Sequence, residues 1–171
     1  MTRPRVVLVG AMGAGKTTVA GLLGEAWGLP VRDSDADVEQ ATGRSVPDIF
    51  VESGEQAFRA LEADAVASAL SEHEGVLALG GGAVLAEGTR ALLAGHTVVF
   101  LRVGLSEAVS RVGLGAGRPL LLGNVRGRIK LLLDERTPVY ESVATHVVDT
   151  DGRTADEVAR EVADRVGEPV G

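Results

Sequence analysis

VVLVGAMGAGKTTVAGLLGEAW, residues 6–27, decides the fold, because an apolar run leads through a glycine-rich turn into a helical pattern. Residues 10–17 match the pattern G-x-x-x-x-G-K-[ST] at every fixed position. Glycines in that arrangement let backbone N–H groups wrap a phosphate next to the positive end of the helix dipole. A chance glycine-rich turn is the alternative, and the flanking strand and helix patterns argue against it.

The side chains of this loop predict a nucleoside triphosphate ligand. Lys16 supplies a flexible point charge for the β- and γ-phosphate oxygens, a role that the planar fork of arginine fits poorly. The Thr17 hydroxyl is placed to ligate Mg²⁺. The predicted ATP-binding residues of the loop are Gly13, Ala14, Gly15, Lys16, Thr17 and Thr18. The motif leaves the reaction open, because switches, motors and small-molecule kinases share it.

The composition is that of one globular domain. The 171 residues are 45% hydrophobic and 24% charged, with a net charge of −7 and no cysteine. The missing cysteines exclude a disulfide framework, and the acidic balance argues against nucleic-acid binding. Without a bilayer-length apolar stretch or the features of a signal peptide, we expect a cytoplasmic protein with no membrane or nucleic-acid partner. A monomer is the expected oligomeric state.

Short apolar runs alternate with helical patterns along the chain. The runs are continuously apolar, which favours parallel strands covered on both faces. The predicted strands are 6–9, 30–32, 76–79, 97–102 and 146–148, and the predicted helices are 16–27, 37–42, 46–51, 54–71, 89–93, 106–112, 125–140 and 155–166. Ser53 with Gln56 and Thr154 with Glu157 have capping-box spacing. We therefore expect one α/β domain over 1–171, three α/β/α layers around a five-stranded parallel sheet.

VRDSDAD, residues 31–37, follows the second predicted strand, so its carboxylates should lie beside the phosphate loop. Asp33 and Asp35 are two apart and would point to the same side of an extended segment. One could hold the water shell of a metal while the other orients a substrate hydroxyl for in-line attack. The alternative is helix N-capping by Asp33 or Asp35, followed by solvated acids such as Asp37.

A second group of candidate residues lies in SGEQAFRALEADAV, residues 53–66, which has a helical pattern. Arg59 and Glu62 are three apart and share a face. They form either a surface salt bridge worth under about 1 kcal/mol, or a pair in which Glu62 holds Arg59 for a substrate carboxylate. Phe50 and Phe58 are expected in the core, with the wall of a small pocket as the alternative.

LALGGGAV, residues 77–84, places three glycines directly behind a predicted buried strand. Such a run is costly, since glycine loses the most backbone entropy on folding and brings no side chain to pack. Gly80, Gly81 and Gly82 would emerge at the carboxyl edge of the sheet, where ligands bind. There their N–H groups can donate to a ligand whose space a Cβ would occupy, so we interpret the run as the floor of an acceptor pocket.

One spacing in the chain is specific. Arg59-x-x-Glu62-x-x-x-Val66, followed after nine residues by VLALGGGAV (76–84), resembles the signature of shikimate kinases. The stretch from Asp33 to Arg59 resembles the metal-binding and shikimate-binding region of the same family. The resemblance implies a P-loop kinase fold with a substrate-binding region at about 33–62.

Two later segments continue the resemblance. GRPLL (117–121) is similar to the lid of the family, and ERTPVYESVA (135–144) is similar to its last substrate-binding helix. The resemblance therefore covers essentially the whole chain, in the order of the family, and implies a mobile lid at about 112–124.

The resemblance also implies the reaction, in which ATP and shikimate give ADP and shikimate 3-phosphate on the route to aromatic amino acids. Lys16 and the loop backbone would hold the phosphates, and Thr17 with Asp33 would place Mg²⁺. Asp35 would hydrogen-bond the shikimate hydroxyls and act as, or stand in for, the base on the 3-hydroxyl.

Five arginines have implied roles as well. Arg59 and Arg136 would bind the shikimate carboxylate, and Arg118 on the lid would close over the γ-phosphate. Arg111 would pack against adenine, and Arg153 would also belong to the nucleotide site. The implied catalytic residues are Lys16, Asp35 and Arg118, and the implied substrate-binding residues are Asp35, Arg59, Gly80, Gly81, Gly82 and Arg136.

Two other functions stay open. A related small-molecule kinase, such as a gluconate kinase, would also bind a carboxylate and hydroxyls, but the spacing from Arg59 to Gly82 favours shikimate. A non-catalytic P-loop ATP-binding module would have no need of Asp33, Asp35 or Arg118, and all three are present.

Overall fold

A run of four buried residues, Val6–Val9, forms the central strand β1 of a five-stranded parallel sheet. The other strands are β2 (Val31–Asp33), β3 (Val76–Ala78), β4 (Val98–Arg102) and β5 (His146–Asp149). Their order across the sheet is β2-β3-β1-β4-β5, and every neighbouring pair is parallel. This arrangement confirms the predicted five-stranded parallel sheet. The computed structural model describes residues 3–114 and 124–167.

Helices cover both faces of this sheet. They are α1 (Lys16–Trp27), α2 (Ser34–Thr42), α3 (Val46–Ser53), α4 (Glu55–Glu72), α5 (Glu87–Leu93), α6 (Leu105–Leu114), α7 (Val125–Val143) and α8 (Ala155–Val166), with a 3₁₀ turn at Ala83–Leu85. None of the helices in the described ranges is both long and apolar enough to cross a bilayer.

The alternation of side chains along β1 divides the core into two layers. Val6 and Leu8 pack with residues of α1 and α8 on one face. Val7 and Val9 pack with residues of α4, α5 and α7 on the other face. Helices therefore cover both faces of the central strands, which confirms the predicted three-layer arrangement. Because both faces are covered, these strands are continuous apolar runs in the sequence.

A smaller core belongs to α2, α3 and α4. Val38, Ile49 and Phe58 are each at most 3% exposed and form a cluster of their own. These three helices follow β2 and lead into β3, so they form a compact unit at one side of the sheet.

Helix starts differ from the sequence-based expectation at α2 and α4, and by one or two residues at α5 and α6. Helix α2 begins at Ser34 rather than at residue 37, because the Asp33 side chain accepts hydrogen bonds from the N–H groups of Asp35 and Ala36. The predicted cap at Ser53 is wrong: Ser53 is the last residue of α3, and Gly54 turns the chain into α4 without a side-chain cap. The predicted capping box of Thr154 is confirmed.

The strand register brings three loops to one edge of the sheet. Leu8 of β1 and Asp33 of β2 both pair with Ala78 of β3. The loop after β1, the start of α2 after β2 and the glycines after β3 therefore leave the sheet side by side. In open α/β sheets this carboxyl edge is where ligands bind.

Candidate active site

The loop between β1 and α1 is shaped to receive an anion. Gly15 precedes α1 with φ +88°, a left-handed conformation that L side chains rarely adopt, and it offers no side-chain cap to the helix. A Cβ at Gly10 would lie 2.6 Å from the carbonyl oxygen of Leu101, so only glycine lets the loop pass this close to β4. The first N–H groups of α1 are thereby presented to the space in front of the sheet, as in anion sites at helix N-termini.

Lys16 places a cation in this loop. Its Nζ donates hydrogen bonds to the carbonyl oxygens of Gly10, at 2.6 Å, and Ala11, at 3.1 Å. Although part of the side chain stays accessible, desolvation of the ammonium lowers the pKa of Lys16 to about 8, against the opposing charges of Asp35 and Asp33. An ammonium held among polar groups, and short of water, is a strong attractor for phosphate oxygens.

One cleft of about 550 Å³ runs from the phosphate loop to the acceptor side. It is lined by most of the residues that the sequence assigns to phosphate, metal and substrate: Gly13, Gly15, Lys16, Thr17, Thr18, Asp33, Asp35, Arg59, Gly80, Gly81, Gly82 and Arg136. Phe50 and Phe58 also line it, with ring centroids 4.8 Å apart. Phe58 is core and cleft wall at once, whereas Phe50 is 37% exposed, so the pocket-wall alternative holds for both.

The three aspartates after β2 have different environments. Asp33 caps α2 through Oδ1, at 2.8 Å from the backbone nitrogen of Asp35, and also lines the cleft. Burial and the neighbouring charge of Asp33 raise the pKa of Asp35, while Lys16 opposes this. The interpretation of Asp37 as a solvated acid is wrong, because its carboxylate is ion-paired with Arg32 at 2.5 Å and only 18% exposed.

Arg59 and Glu62 form a buried rather than a surface pair. Nη1 of Arg59 lies 2.8 Å from Oε1 of Glu62, whose side chain is 3% exposed. Burial raises the pKa of Glu62, and the hydrogen bond from Arg59 opposes this shift. A buried carboxylate that loses its partner is costly, so Glu62 keeps the Arg59 guanidinium in one place at the cleft.

The three glycines after β3, here called the glycine loop, make contacts that sequence reasoning missed. The N–H of Gly80 donates to Oγ of Ser34 at 2.9 Å, so this group is bonded within the protein rather than to a ligand. The Tyr140 hydroxyl donates to the Gly81 carbonyl oxygen at 2.5 Å. The only sequence signals for these two hydroxyls are positional: Ser34 lies between two aspartates, and Tyr140 lies one helical turn after Arg136.

At two of the three positions of the glycine loop, side chains of the protein itself leave no room for a Cβ atom. A Cβ at Gly80 would lie 2.6 Å from Oδ1 of Asp35, and a Cβ at Gly82 would lie 2.5 Å from the guanidinium nitrogens of Arg59. At Gly81 the nearest atoms would be at ordinary contact distance, 3.6 Å or more. The loop thus lets two charged side chains approach the backbone that forms the cleft floor.

A second pocket of about 230 Å³ lies on the other side of the phosphate loop. Arg111 and Arg153 line it together with Thr18. The Arg111 guanidinium donates to the carbonyl oxygen of Gly13 at 2.8 Å and to that of Thr150 at 3.3 Å. It is also paired with Glu107 at 3.3 Å, so the ion-pair alternative for Arg111 holds, and the same side chain lines this pocket. Arg118 and most of the expected lid lie outside the described residues.

Fold and cleft together are those of an ATP-dependent small-molecule kinase: a phosphate loop faces a cleft that carries carboxylates and two arginines. The family model for shikimate kinase matches residues 12–167. The chain belongs to the shikimate kinase family.

Three relatives illustrate the likeness. The chain is 56% identical to the shikimate kinase of Thermobifida fusca over 162 residues, which cover 95% of this chain and 94% of the relative. It is 59% identical to that of Salinispora arenicola over 160 residues, 94% and 96% of the two chains. The solved shikimate kinase of Acinetobacter baumannii in complex with shikimate has 34% identity and a TM-score of 0.88, over 97% of this chain and 93% of that one.

The lowered pKa of Lys16 predicts a pH-dependent nucleotide affinity. With a pKa of about 8 in the free protein, Lys16 loses its charge as the pH rises through that value. A bound polyphosphate favours the protonated form, so affinity is full below this pKa and falls above it. We expect the Kd of MgADP, measured by calorimetry, to rise by about tenfold between roughly pH 7.5 and 9.5. The Lys16→Met variant should bind weakly and without this dependence, and a flat wild-type profile would contradict the assignment.

Proposed function

We propose that this chain transfers the γ-phosphoryl group of ATP to the 3-hydroxyl of shikimate, giving shikimate 3-phosphate and ADP. The observation that carries the proposal is the distribution of charge in the cleft. Lys16 stands at the phosphate loop, Arg59 and Arg136 stand at the other side, and Asp35 lies within the field of both Lys16 and Arg59. A cleft with this order suits a polyphosphate donor and an acceptor that carries both a carboxylate and hydroxyl groups.

Arg59 and Arg136 are the proposed carboxylate ligands. Arg59 is held by the buried Glu62, and the Arg136 guanidinium comes within 3.7 Å of the Cβ position of Gly81. Arginine binds a carboxylate through two parallel hydrogen bonds, which orients a small acid as well as attracting it. This fixes the acceptor ring relative to the phosphate loop.

Asp35 is the proposed acceptor of the hydroxyl proton. Burial raises the pKa of Asp35, which makes it a better base than a solvated aspartate. Little covalent help is needed beyond this, because phosphoryl transfer is catalysed chiefly by positioning and by neutralising the charge of the transferred group. Lys16 supplies that neutralisation on the donor side, and Arg118 is the proposed second cation.

Mg²⁺ is the proposed metal, held by Thr17 and Asp33 at the phosphate loop. No cluster of three or more His, Asp or Glu side chains suited to a metal occurs in residues 3–114 and 124–167. That fits a magnesium ion that takes one or two protein oxygens and fills its shell with phosphate and water oxygens. The ion would offset the charge of the β- and γ-phosphates.

The remaining assignments complete the proposal. Arg111 and Arg153 are placed in it at the adenine, since both line the smaller pocket beside the phosphate loop. One domain over residues 1–171, a substrate-binding region at about 33–62, a lid at about 112–124, a monomeric state and a cytoplasmic location stay predictions. A gluconate kinase and a non-catalytic ATP-binding module are not favoured, because the family match covers residues 12–167.

The proposal predicts ADP release that depends on shikimate. Purified protein with MgATP would be assayed by a coupled ADP assay in three reactions, with shikimate, with gluconate and with neither. We expect turnover only with shikimate, because the acceptor must fill the cleft before the γ-phosphoryl group has a nucleophile. Equal rates in the three reactions would refute the kinase function, and turnover only with gluconate would refute the substrate.

Asp35→Asn tests the proton acceptor. The amide keeps the shape of the side chain but cannot take a proton, so kcat should fall by about 100-fold or more. Asp37→Asn is the matched control, since Asp37 lies on the same helix but is paired with Arg32. Its kcat should stay near that of the wild type. Near-normal turnover of Asp35→Asn would remove Asp35 from the mechanism.

Gly82→Ala tests the need for glycine beside Arg59. The new methyl group would meet the far end of a flexible side chain, so the guanidinium moves and the backbone need not. We expect shikimate affinity to fall by about tenfold through loss of the bidentate contact, together with a lower Tm, because the displaced guanidinium strains its bond to the buried Glu62. Gly81→Ala, where the methyl group has room, is the comparison and should lose less affinity. Unchanged affinity in Gly82→Ala would show that Arg59 does not bind the acceptor.

A further inference from the structure

Two buried hydroxyl groups from different elements each hold a peptide group of the glycine loop. Ser34, 0% exposed, accepts a hydrogen bond from the N–H of Gly80 at 2.9 Å. Tyr140, 1% exposed, donates its hydroxyl proton to the carbonyl oxygen of Gly81 at 2.5 Å. The loop has no side chains of its own with which to fix its conformation, so these external contacts replace them.

Each hydroxyl ties the loop to an element that carries charged residues of the cleft. Ser34 is the first residue of α2, between Asp33 and Asp35. Tyr140 follows Arg136 by one turn of α7, and its ring packs against Phe100 with centroids 5.0 Å apart. Both hydroxyls are therefore attached to packed parts of the fold, which makes them firm anchors.

The position of the loop in turn limits where two charged side chains can lie. The Asp35 side chain lies against Gly80, and the Arg59 side chain lies against Gly82. Each is so close that a Cβ on the glycine would collide with it. A shift of the loop by a few tenths of an ångström would push on both. Burial raises the pKa of Tyr140, opposed by the charge of Arg136, by a hydrogen-bonding interaction with Arg136 and by the charge of Arg59, so at neutral pH its hydroxyl remains a donor.

We infer that Ser34 and Tyr140 are positioning residues of the acceptor site: their hydroxyls fix the peptide groups of Gly80 and Gly81 and thereby the places of Asp35 and Arg59. The inference rests on the proposed function, since it concerns the affinity for shikimate. Among the described residues, neither Ser34 nor Tyr140 lines the cleft, so neither touches the reacting atoms. Ser34 acts through the glycine loop, and Tyr140 acts through the loop and through its contact with Arg136.

Two variants remove the hydroxyls alone. Tyr140→Phe keeps the ring that packs on Phe100, and Ser34→Ala keeps the small side chain. For each, calorimetry would give the Kd of shikimate in saturating MgADP and the Kd of MgADP itself, and a thermal melt would give Tm. We expect shikimate to bind about fivefold to tenfold more weakly in each variant, the effect of one lost hydrogen bond. MgADP affinity should change by less than about twofold, because its site lies on β1 and α1.

Thr145→Val is the matched control for stability. The Thr145 hydroxyl accepts from the N–H of Val98 at 3.0 Å and donates to the carbonyl oxygen of Val98 at 2.9 Å. Val98 begins β4, so this hydroxyl lies at the amino edge of the sheet, opposite the cleft. We expect Thr145→Val to lower Tm with no change in shikimate affinity.

The outcomes separate the inference from the function beneath it. Wild-type protein without shikimate-dependent turnover would overturn the proposed function and the inference with it. An active wild type whose Tyr140→Phe and Ser34→Ala variants bind shikimate normally, with only a lower Tm as in Thr145→Val, would overturn the inference alone. The double variant should lose less affinity than the product of the two single losses, because both act on one loop. Losses that multiply would show separate effects and contradict the shared loop.

Discussion

The enclosure of the Lys16 ammonium at the carboxyl end of β1 is the constraint on which the rest of the site depends. A cation short of water is costly unless it is hydrogen-bonded and faced by opposite charge. The carbonyl oxygens of Gly10 and Ala11 supply the bonds, which fixes the curvature of the phosphate loop. Asp33 and Asp35, which follow β2, supply the opposing charge. They lie close enough to do so because only β3 separates β2 from β1 in the sheet.

Charged side chains that face opposite charges continue across the cleft. Asp35 is within the field of Arg59, Arg59 is bonded to the buried Glu62, and Glu62 is within the field of Arg136. Charges of opposite sign thus follow one another from the phosphate loop to α7. Because Glu62 stays bonded to Arg59, an anionic ligand at the arginines adds a partner to the guanidinium and leaves the buried carboxylate paired.

Sequence reasoning was most accurate where local chemistry decides the structure. The helix at 16–27 directly follows the glycine-rich phosphate loop. The Thr154 capping box depends on two residues that are three apart in sequence. Sequence reasoning failed where the arrangement of whole elements decides which side chains meet. Arg32 and Asp37 are only five residues apart, but they pair because β2 turns directly into α2. The bond between Tyr140 and Gly81 joins residues 59 positions apart. The spacing of Arg59 and Glu62 showed that they could pair, but not that Glu62 is buried, since burial depends on how α4 packs.

The order of the strands also limits which parts of the site can change in evolution. The phosphate loop and the glycine loop leave neighbouring strands, β1 and β3, so their separation is set by a backbone ladder with a spacing of about 4.8 Å. No side-chain substitution alters that spacing. The α2–α4 unit, by contrast, has its own small core of Val38, Ile49 and Phe58. A lineage could therefore reshape the acceptor wall by repacking this unit while the phosphate donor stays at a distance that the sheet itself determines.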